Sequence, residues 1–337
     1  MAHRDVRFGY KLSGEQFGPT ELVELAVAAE EHGFDTAAVS DHFQPWRHSG
    51  GHSPFSFAVL GAAGQRTRRI VLGTSVVTPT LRYHPAIVAQ AMATVGTLYP
   101  GRVWLGVGTG EALNEMALAA RWPDSKERYA RLKEAIELIQ RLWLEERVTF
   151  DGIFYRTHNA TIYDRPATPM PLYVAASGPS AARLAGRVAD GLICTSGKEM
   201  TLYTETILPA VRDAAQGAGR DPQMLDLTIE MKVSFDSDEQ RAFEDTRNWA
   251  ALALTPEEET GIDDPLEMER RADALPAARA ASRWIVSSDP DEHVEKVRPY
   301  LELGFTHLIF HAPGTDQLRF LEQYSREVLP RLRRVAG

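Results

Sequence analysis

Short apolar runs alternate with stretches of helical periodicity along the whole chain. The apolar runs lie at residues 6–12, 35–40, 70–77, 102–110, 172–177, 191–196, 225–235 and 307–313. Each run is followed by a segment in which apolar residues recur at helical spacing, as in residues 19–33, which end at Gly33. About eight such strand–helix repeats predict an α/β protein, and a (β/α)8 TIM barrel accounts for them better than an open sheet.

Two segments interrupt this alternation. Residues 147–165 combine β-type residues with an Asp151-Gly152 turn, which predicts a β-hairpin. Residues 253–285 predict an acidic helical insertion before the last repeat. Together with a loop at about 43–53, these segments are expected to be insertions in one barrel domain that spans the whole chain of 337 residues. Insertions in barrels usually cover the C-terminal mouth or form a dimer surface.

Composition places the chain among ordinary globular proteins. Hydrophobic residues make up 44% and charged residues 25%, and no apolar run approaches the roughly 20 residues of a membrane span. The N-terminus lacks the apolar centre of a signal peptide, so the sequence predicts a cytoplasmic protein. A net charge of −9 argues against nucleic acid and anionic membranes as partners. The single cysteine, Cys194, excludes an intramolecular disulfide and a cysteine-based zinc cage, and its setting predicts a core position.

Polar residues follow four of the predicted strands. They are Asp41-His42, Thr74-Ser75, Thr109-Gly110-Glu111 and Thr195-Ser196-Gly197-Lys198. Because the carboxyl ends of barrel strands meet at one rim, we expect these residues to converge. An imidazole and a carboxylate in one pocket can exchange protons near neutral pH, which favours His42 and Glu111 as a catalytic pair. The alternative for His42 is a hydrogen-bonded loop histidine without a catalytic role.

Three further features point to a pocket that holds an anion. Residues 175–178 end a strand just before a helix expected to start near Pro179, and the backbone amides there favour an anion, although a ligand-free loop is the alternative. Lys198 and Arg283 are the candidate cations for a phosphate, and ordinary surface cations are the alternative. Trp46, in a loop, is expected to form a wall of the pocket.

Two common sites are disfavoured by spacing. The glycines at 106, 108 and 110 do not form a dinucleotide fingerprint, because its third glycine would fall at position 111, which is a glutamate. We expect these glycines to let the backbone approach a flat ring or a phosphate. Residues His42, His48 and His52 raise the alternative of a metal-dependent hydrolase, but no H-x-H or HExxH pattern accompanies them, so we expect no metal.

Five segments of the chain, in this order, carry a resemblance to a known family. They are SDHFQPWRH at 40–48, TSVVTPTLRYHP at 74–85, LGVGTGEALNE at 105–115, YVAASGP at 173–179 and ICTSGK at 193–198. They resemble the F420-dependent glucose-6-phosphate dehydrogenases of the bacterial luciferase-like superfamily, and the similarity runs from about residue 8 to the C-terminus. The resemblance implies the deazaflavin coenzyme F420 as cofactor, a sugar phosphate as substrate and a homodimer as assembly.

Position by position, the resemblance also implies roles for individual residues. The cofactor would contact Asp41, Thr78, Thr109, Gly110, Asn114, Ala176, Ser177 and Gly178. A cis non-proline peptide at Ser75-Val76 would lie behind the deazaflavin ring. His42 and Glu111 would transfer protons and Trp46 would pack beside the sugar. The substrate phosphate would be held by Thr195, Lys198 and Arg283.

The implied reaction oxidises C1 of a hexose 6-phosphate to the lactone, with hydride transfer to C5 of F420. We assign His42 as the base and Glu111 as the acid, with the reverse assignment left open. This chain departs from the family pattern at Glu259, where the family has a lysine that binds phosphate, and at Ser177, where the family has a glycine. The charge reversal at Glu259 leaves open whether glucose 6-phosphate or another hexose 6-phosphate is preferred.

Two alternatives accompany this expectation. The chain could be another F420- or FMN-dependent reductase or monooxygenase of the same superfamily, in which Lys198 and Arg283 would be incidental. It could also be a non-catalytic binding barrel, which the placement of His42 and Glu111 disfavours.

Overall fold

The computed structural model describes residues 5–118 and 121–337, and its longest sheet closes into a barrel. In chain order, the strands are β1 (Arg7–Leu12), β2 (Thr36–Val39), β3 (Val71–Thr74), β4 (Val103–Val107), β5 (Val148–Asp151), β6 (Arg156–Ala160), β7 (Leu172–Ala175), β8 (Gly191–Thr195), β9 (Asp226–Phe235), β10 (Ile285–Ser287) and β11 (His307–His311). The barrel runs in the order β1-β2-β3-β4-β7-β8-β9-β11. It closes where β11 pairs with β1, and every pair in it is parallel.

Helices separate the barrel strands and pack around the outside. In chain order, they are α1 (Pro19–Glu31), α2 (Ser56–Arg66), α3 (Pro85–Leu98), α4 (Ala112–Glu115), α5 (Ser125–Leu144), α6 (Pro179–Val188), α7 (Leu208–Gly217), α8 (Glu239–Glu244), α9 (Pro256–Glu259), α10 (Pro265–Asp273), α11 (Ala277–Ala281), α12 (Pro290–Glu302), α13 (Gln317–Gln323) and α14 (Leu329–Ala336). Helix α1 buries Leu22, Leu25 and Ala29 against the barrel, as its periodicity predicts. The predicted (β/α)8 barrel is therefore confirmed.

The segments that interrupt the repeat have regular structure of their own. Strands β5 and β6 pair antiparallel, which confirms the hairpin predicted from Asp151-Gly152. The carboxylate of Glu134, on α5, accepts hydrogen bonds from the backbone N–H groups of residues 153, 154 and 155, so the hairpin loop is tied to the barrel. Between β9 and β10, helices α8 to α11 begin at Glu239, well before the expected start of the helical segment at 253.

The inside of the barrel is filled by side chains. A buried cluster joins Ala38, Trp104, Tyr173, Ile193 and Ile309, and Val76 packs on it. Gly73 makes room for the indole, because a Cβ atom there would lie 2.0 Å from Cε2 of Trp104. Cys194 is buried among core residues, as predicted. With the interior filled, ligands have space only at the rim, where loops follow the carboxyl ends of the strands.

No helix within residues 5–118 and 121–337 is both long enough and apolar enough to cross a membrane.

Candidate active site

Three acidic or basic side chains meet at the rim above β1, β2 and β4. The Nε2 atom of His42 lies 3.1 Å from Oε1 of Glu15 and 3.6 Å from Oε2 of Glu111. His42 and Glu111 therefore come together as the sequence predicts, because both follow strands whose ends converge. The indole of Trp46 lies beside them, with its ring centroid 5.7 Å from that of His42.

Glu15 is a member of this group that the sequence analysis missed. It is buried and receives a hydrogen bond from the hydroxyl of Ser40. Burial raises the pKa of Glu15, but the charges of His42 and Lys11 and the Ser40 hydrogen bond outweigh it and hold the pKa below its ordinary value. Its position just after β1 is the same strand-end signal that pointed to His42, so the signal was present in the sequence.

Glu111 lies in the opposite electrostatic setting. Desolvation in the cleft raises the pKa of its carboxyl, and although His42 lowers it, the nearby charge of Glu15 raises it again. Its side chain is nevertheless 49% exposed, so it can be reached from the mouth of the barrel. The two carboxyl groups beside His42 thus have pKa values shifted in opposite directions, which is typical of an ionised and a protonated partner.

Asn114 organises the loop that carries His42. Its Oδ1 accepts hydrogen bonds from the backbone N–H groups of Phe43 (2.8 Å) and Gln44 (3.0 Å). These two donors fix the amide orientation and turn Nδ2 toward Nδ1 of His42, 3.1 Å away. The same Nδ1 lies 3.2 Å from the carbonyl oxygen of Gln44. Nδ1 can therefore accept from Asn114 or donate to Gln44, so both protonation states of this atom have a partner.

Asp41 is occupied by the protein itself. Its carboxylate accepts hydrogen bonds from Arg82 (2.6 Å), Ser56 (2.7 Å) and Tyr83 (3.3 Å), and the residue is 3% exposed. The implied contact between Asp41 and the cofactor would therefore have to come from its main chain. In this position the carboxylate anchors the start of the loop that holds His42.

The backbone at the end of β3 forms a platform next to these groups. The peptide bond Ser75-Val76 is cis, as the resemblance implies. The ammonium of Lys11 donates to the carbonyl oxygen of Ser75 (2.7 Å) and to Glu230 (2.8 Å). The hydroxyl of Ser75 also donates to Glu230, at 3.1 Å. This strip of backbone is thus held from below by a buried ion pair.

The glycines of β4 serve this platform rather than a ligand. A Cβ atom at Gly106 would lie 2.3 Å from the carbonyl oxygen of Thr74, and one at Gly108 would lie 2.9 Å from Cγ2 of Val76. The expectation that they approach a ring or phosphate is therefore wrong for these two positions, because neighbouring protein atoms occupy that space. Gly110 has a φ of +86°, and a Cβ there would lie 2.9 Å from the methyl group of Thr78.

The structure fits a flat cofactor with an anionic arm. Thr109 and Gly110 lie at the end of β4, next to the platform. On the other side, Ala176 and Ser177 lead into α6, whose N-cap residue Gly178 supplies no side-chain cap. A Cβ atom at Gly178 would meet no described atom within 4 Å, so the N-terminus of α6 is open to a phosphate group. A deazaflavin with a phosphate-containing tail suits both features.

The two cations predicted to bind a phosphate are Lys198, which follows β8, and Arg283, which precedes β10. Gly197, with a φ of +74°, brings the loop after Thr195 close to Arg283, since a Cβ there would lie 2.6 Å from the Arg283 carbonyl oxygen. Burial lowers the pKa of Arg283, and burial and the charge of Arg283 lower the pKa of Lys198. Burial and the charge of Glu111 raise the pKa of Glu259, whereas the charges of Lys198 and Arg283 lower it. Glu259 thus lies within electrostatic reach of both cations.

The other histidines do not join this site as a metal centre. Among the described residues, no three His, Cys, Asp or Glu side chains are arranged to hold a metal ion. Trp46 lines a cavity of about 220 Å³ together with Glu15 and Trp249, and neither His42 nor Glu111 lines this cavity.

Comparison with known proteins gives consistent relatives over the whole chain. A family model described as luciferase-like monooxygenase matches residues 6–307. The chain is 65% identical to an F420-dependent glucose-6-phosphate dehydrogenase of Nakamurella multipartita, covering 100% of this chain and 99% of the relative. It is 64% identical to a protein of the same name from Beutenbergia cavernae, covering 97% and 98% of the two chains.

Solved structures give a similar picture. An F420-dependent secondary alcohol dehydrogenase in complex with an F420-acetone adduct superposes with a TM-score of 0.92 and 31% identity, covering 98% of this chain and 99% of that one. A coenzyme F420-dependent tetrahydromethanopterin reductase from Methanopyrus kandleri has a TM-score of 0.82 at 23% identity, with 98% and 100% of the chains covered. At this lower identity, the second similarity concerns the fold alone.

Proposed function

The chain belongs to the luciferase-like monooxygenase family, within it to the F420-dependent glucose-6-phosphate dehydrogenases, and we therefore propose that it oxidises a hexose 6-phosphate. The reaction takes hydride from C1 of the sugar, gives the lactone and reduces F420. One observation supports the proposal most directly. A single imidazole nitrogen of His42 faces two carboxyl groups, Glu15 and Glu111, whose pKa values are shifted in opposite directions.

In this proposal, His42 is the general base. When Nδ1 donates to the carbonyl oxygen of Gln44, Nε2 carries no proton and can accept the one from the C1 hydroxyl of the sugar. The imidazolium that results is stabilised by the ionised carboxylate of Glu15, 3.1 Å away. Asn114 fixes the loop that carries His42, because its side-chain oxygen accepts from the backbone N–H groups of Phe43 and Gln44. Glu15 and Asn114 act through His42 and are therefore positioning residues.

Glu111 is the acid of the pair. Its carboxyl, whose pKa is raised by desolvation, can give a proton where negative charge develops during the reaction. F420, when bound, supplies C5 as the hydride acceptor. The chain's own contribution is to align the sugar and to hold protons at Nε2 of His42 and at the Glu111 carboxyl. This arrangement supports the assignment of His42 as base and Glu111 as acid over the reverse.

The remaining site residues would hold the two ligands. We propose that the cofactor lies on the platform of Ser75 and Val76. Its ring and tail would contact Asp41 through the main chain, Thr78, Thr109, Gly110, Asn114, Ala176, Ser177 and Gly178. Trp46 would flank the sugar, and Thr195, Lys198 and Arg283 would bind its phosphate, with Glu259 modulating their affinity.

A panel of sugar phosphates tests this proposal. The full-length protein is mixed with oxidised F420 and with glucose, fructose or mannose 6-phosphate, and the loss of F420 absorbance is followed. Turnover with at least one hexose 6-phosphate, without consumption of oxygen, is the expected result. Oxygen consumption with FMN, and no turnover of any sugar phosphate, would instead identify a monooxygenase of the same family.

We also propose that the chain is a single barrel domain with insertions and acts in the cytoplasm as a homodimer. Apolar side chains on neighbouring outer elements support the assembly: Ile87 on α3, Leu144 on α5 and Ile153 in the hairpin loop are all exposed. Helices α3 and α5 are joined by the hydrogen bond from the Trp143 indole to the Ala89 carbonyl oxygen. Light scattering on the purified protein would measure the assembly, and Leu144→Asp should weaken it.

A further inference from the structure

Two ionisable side chains stand in succession on the inner face of β9. Glu230 and Lys232 are two residues apart, so both point to the same side of the strand, and both are buried. They lie at the carboxyl end of the barrel: Glu230 pairs in register with Thr195 of β8, and Lys232 with His311 of β11. Neither residue was singled out by the sequence analysis.

The two residues differ sharply in their partners. The carboxylate of Glu230 is surrounded by the Lys11 ammonium (2.8 Å), the Ser75 hydroxyl (3.1 Å) and Nδ1 of His311 (3.4 Å). Lys232 is 4% exposed, and its backbone N–H donates to the hydroxyl of Ser196. Its ammonium, in contrast, makes no hydrogen bond or ion pair with any residue in the described part of the chain.

Other unpaired donors surround this ammonium. Nε of Arg283 and Nε1 of Trp284 are buried without a hydrogen-bond partner among the described residues. Strand β10 begins directly after them and pairs with β9 from Ile285 opposite Val233. The charge of Arg283 acts on Lys232, and the Trp284 ring lies 5.1 Å from that of His311, the register partner of Lys232. A cation and two N–H groups that lack acceptors form a site for an acceptor-rich anion, because burying such donors unpaired is unfavourable.

We propose that Lys232 is the third cation of the substrate-phosphate site and takes the place of the lysine that this chain lacks at position 259. This inference rests on the proposed function. Lys232 lies between the Thr195–Lys198 loop on β8 and Arg283 before β10, so one phosphate group can contact all three elements. The Lys11 ammonium is neutralised by Glu230 and does not compete for the phosphate.

The surrounding charges give Lys232 a distinctive pH response. Burial lowers its pKa to about 8, and although Glu230 opposes this, the charges of Arg283, Lys11 and Lys198 lower it further. From β11, His311 also faces this group. Above this pH, the Lys232 ammonium loses its proton when no phosphate is bound. Phosphate binding then requires that Lys232 take up a proton again, which weakens the binding. The KM for the sugar phosphate should therefore rise as the pH increases beyond about 8.

Lys232→Met is the main test, since it removes the charge and keeps most of the volume. We expect KM for glucose 6-phosphate and the dissociation constant of inorganic phosphate, measured by calorimetry, to increase together by about 10- to 100-fold. The value of kcat and the affinity for F420 should be unchanged, and the alkaline rise in KM should be smaller. Lys232→Arg should recover part of the phosphate affinity. Lys126→Met, at an exposed lysine on α5, is the matched control.

Two outcomes would overturn the inference. Unchanged phosphate affinity in Lys232→Met would place the ammonium outside the phosphate site. A loss of F420 affinity equal to the loss of phosphate affinity would show that Lys232 supports the fold or the cofactor instead. If the unsubstituted enzyme oxidises no sugar phosphate, the proposed function fails, but the calorimetric comparison with inorganic phosphate still decides the role of Lys232.

Discussion

Oε1 of Glu15 lies nearer to Nε2 of His42, at 3.1 Å, than any oxygen of Glu111 does. The order of these distances matters because the pKa of Glu15 is lowered, so the nearer carboxyl is the ionised one. A carboxylate at this distance can stabilise the imidazolium that forms when His42 takes a proton from the substrate. We therefore expect Glu15 to act in catalysis through His42.

The first prediction is that Glu15→Gln lowers kcat by roughly tenfold or more, because the imidazolium formed at His42 loses the carboxylate that stabilises it. The affinity for F420 should stay the same. Glu31→Gln, at an exposed glutamate on α1, is the control and should keep the kcat of the unsubstituted enzyme. An unchanged kcat in Glu15→Gln would show that the ion pair does not act on His42.

The second prediction concerns the catalytic pair. His42→Ala and Glu111→Gln should each lower kcat by about 10²- to 10⁴-fold, because each removes a placed proton-transfer group. Cofactor binding, measured by fluorescence titration, should persist in both variants. Since the two residues act together, the double variant should lose less than the product of the single losses. A single variant that retains most of its kcat would remove that residue from the mechanism.

The third prediction concerns Glu259. The negative charge of Glu259 partly offsets the positive charges of Lys198 and Arg283. Glu259→Lys should therefore lower KM for glucose 6-phosphate by about tenfold. The value of kcat should change little, as expected when a substitution affects substrate and transition-state binding equally. Glu257→Lys makes the same charge change at an exposed position of the same helix and should have little effect. If Glu259→Lys leaves both KM and the ranking of hexose 6-phosphates unchanged, Glu259 has no part in specificity.

The sequence predicted that these side chains come together because its signals were local. His42, Glu111, Lys198 and Gly178 each follow an apolar run directly, and parallel strands bring such positions to one rim. The fold followed from the same alternation of strand and helix patterns. The contacts of Asn114 could not be predicted in this way, since they depend on the path of a loop more than sixty residues away.

Other features were missed for a physical reason as well. Lys11, Glu230 and Lys232 lie inside strand segments, where a charged residue among apolar ones gives no hint of what it faces. The ion pair of Lys11 with Glu230 requires β1 and β9 to lie on either side of β11, which is a long-range property. The role of Gly106 was predicted wrongly because the sequence cannot show whether a ligand or a neighbouring strand fills the space beside a glycine.

The fourth prediction is cofactor selectivity. Titration of the intrinsic tryptophan fluorescence should show tight binding of F420 and weak binding of FMN and NADP. The reasons are the open N-terminus of α6, the Ser75-Val76 platform and the absence of a dinucleotide fingerprint around Gly110. Tighter binding of NADP than of F420 would contradict the assignment.

The fifth prediction concerns acid stability. Burial lowers the pKa of His293 to about 3, so its neutral form stabilises the fold fully above its ordinary pKa of 6.5. This contribution is lost as pH falls below that value, since only the unfolded chain then takes up the proton. Between pH 6.5 and pH 5, the free energy of unfolding of the unsubstituted protein should fall by about 2 kcal/mol more than that of His293→Phe.

Urea unfolding at several pH values measures this difference. The expected change is in the pH dependence and not in the absolute stability, because the variant also loses the contact of His293 with the Tyr324 hydroxyl. His158→Phe, at an exposed histidine, should show the pH dependence of the unsubstituted protein. Parallel curves for His293→Phe and the unsubstituted protein would disprove the prediction.

The side chains that fill the barrel beneath Val76 also set the route by which His42 and Glu111 exchange protons with water. Ala38, Trp104, Tyr173, Ile193 and Ile309 close the interior, so in the described part of the chain the pocket communicates with water through the mouth alone. The sugar enters and the lactone leaves by that opening. In the proposed reaction His42 takes up one proton and Glu111 gives one up, so the oxidation itself releases no net proton, and both groups return to their starting protonation states through that opening.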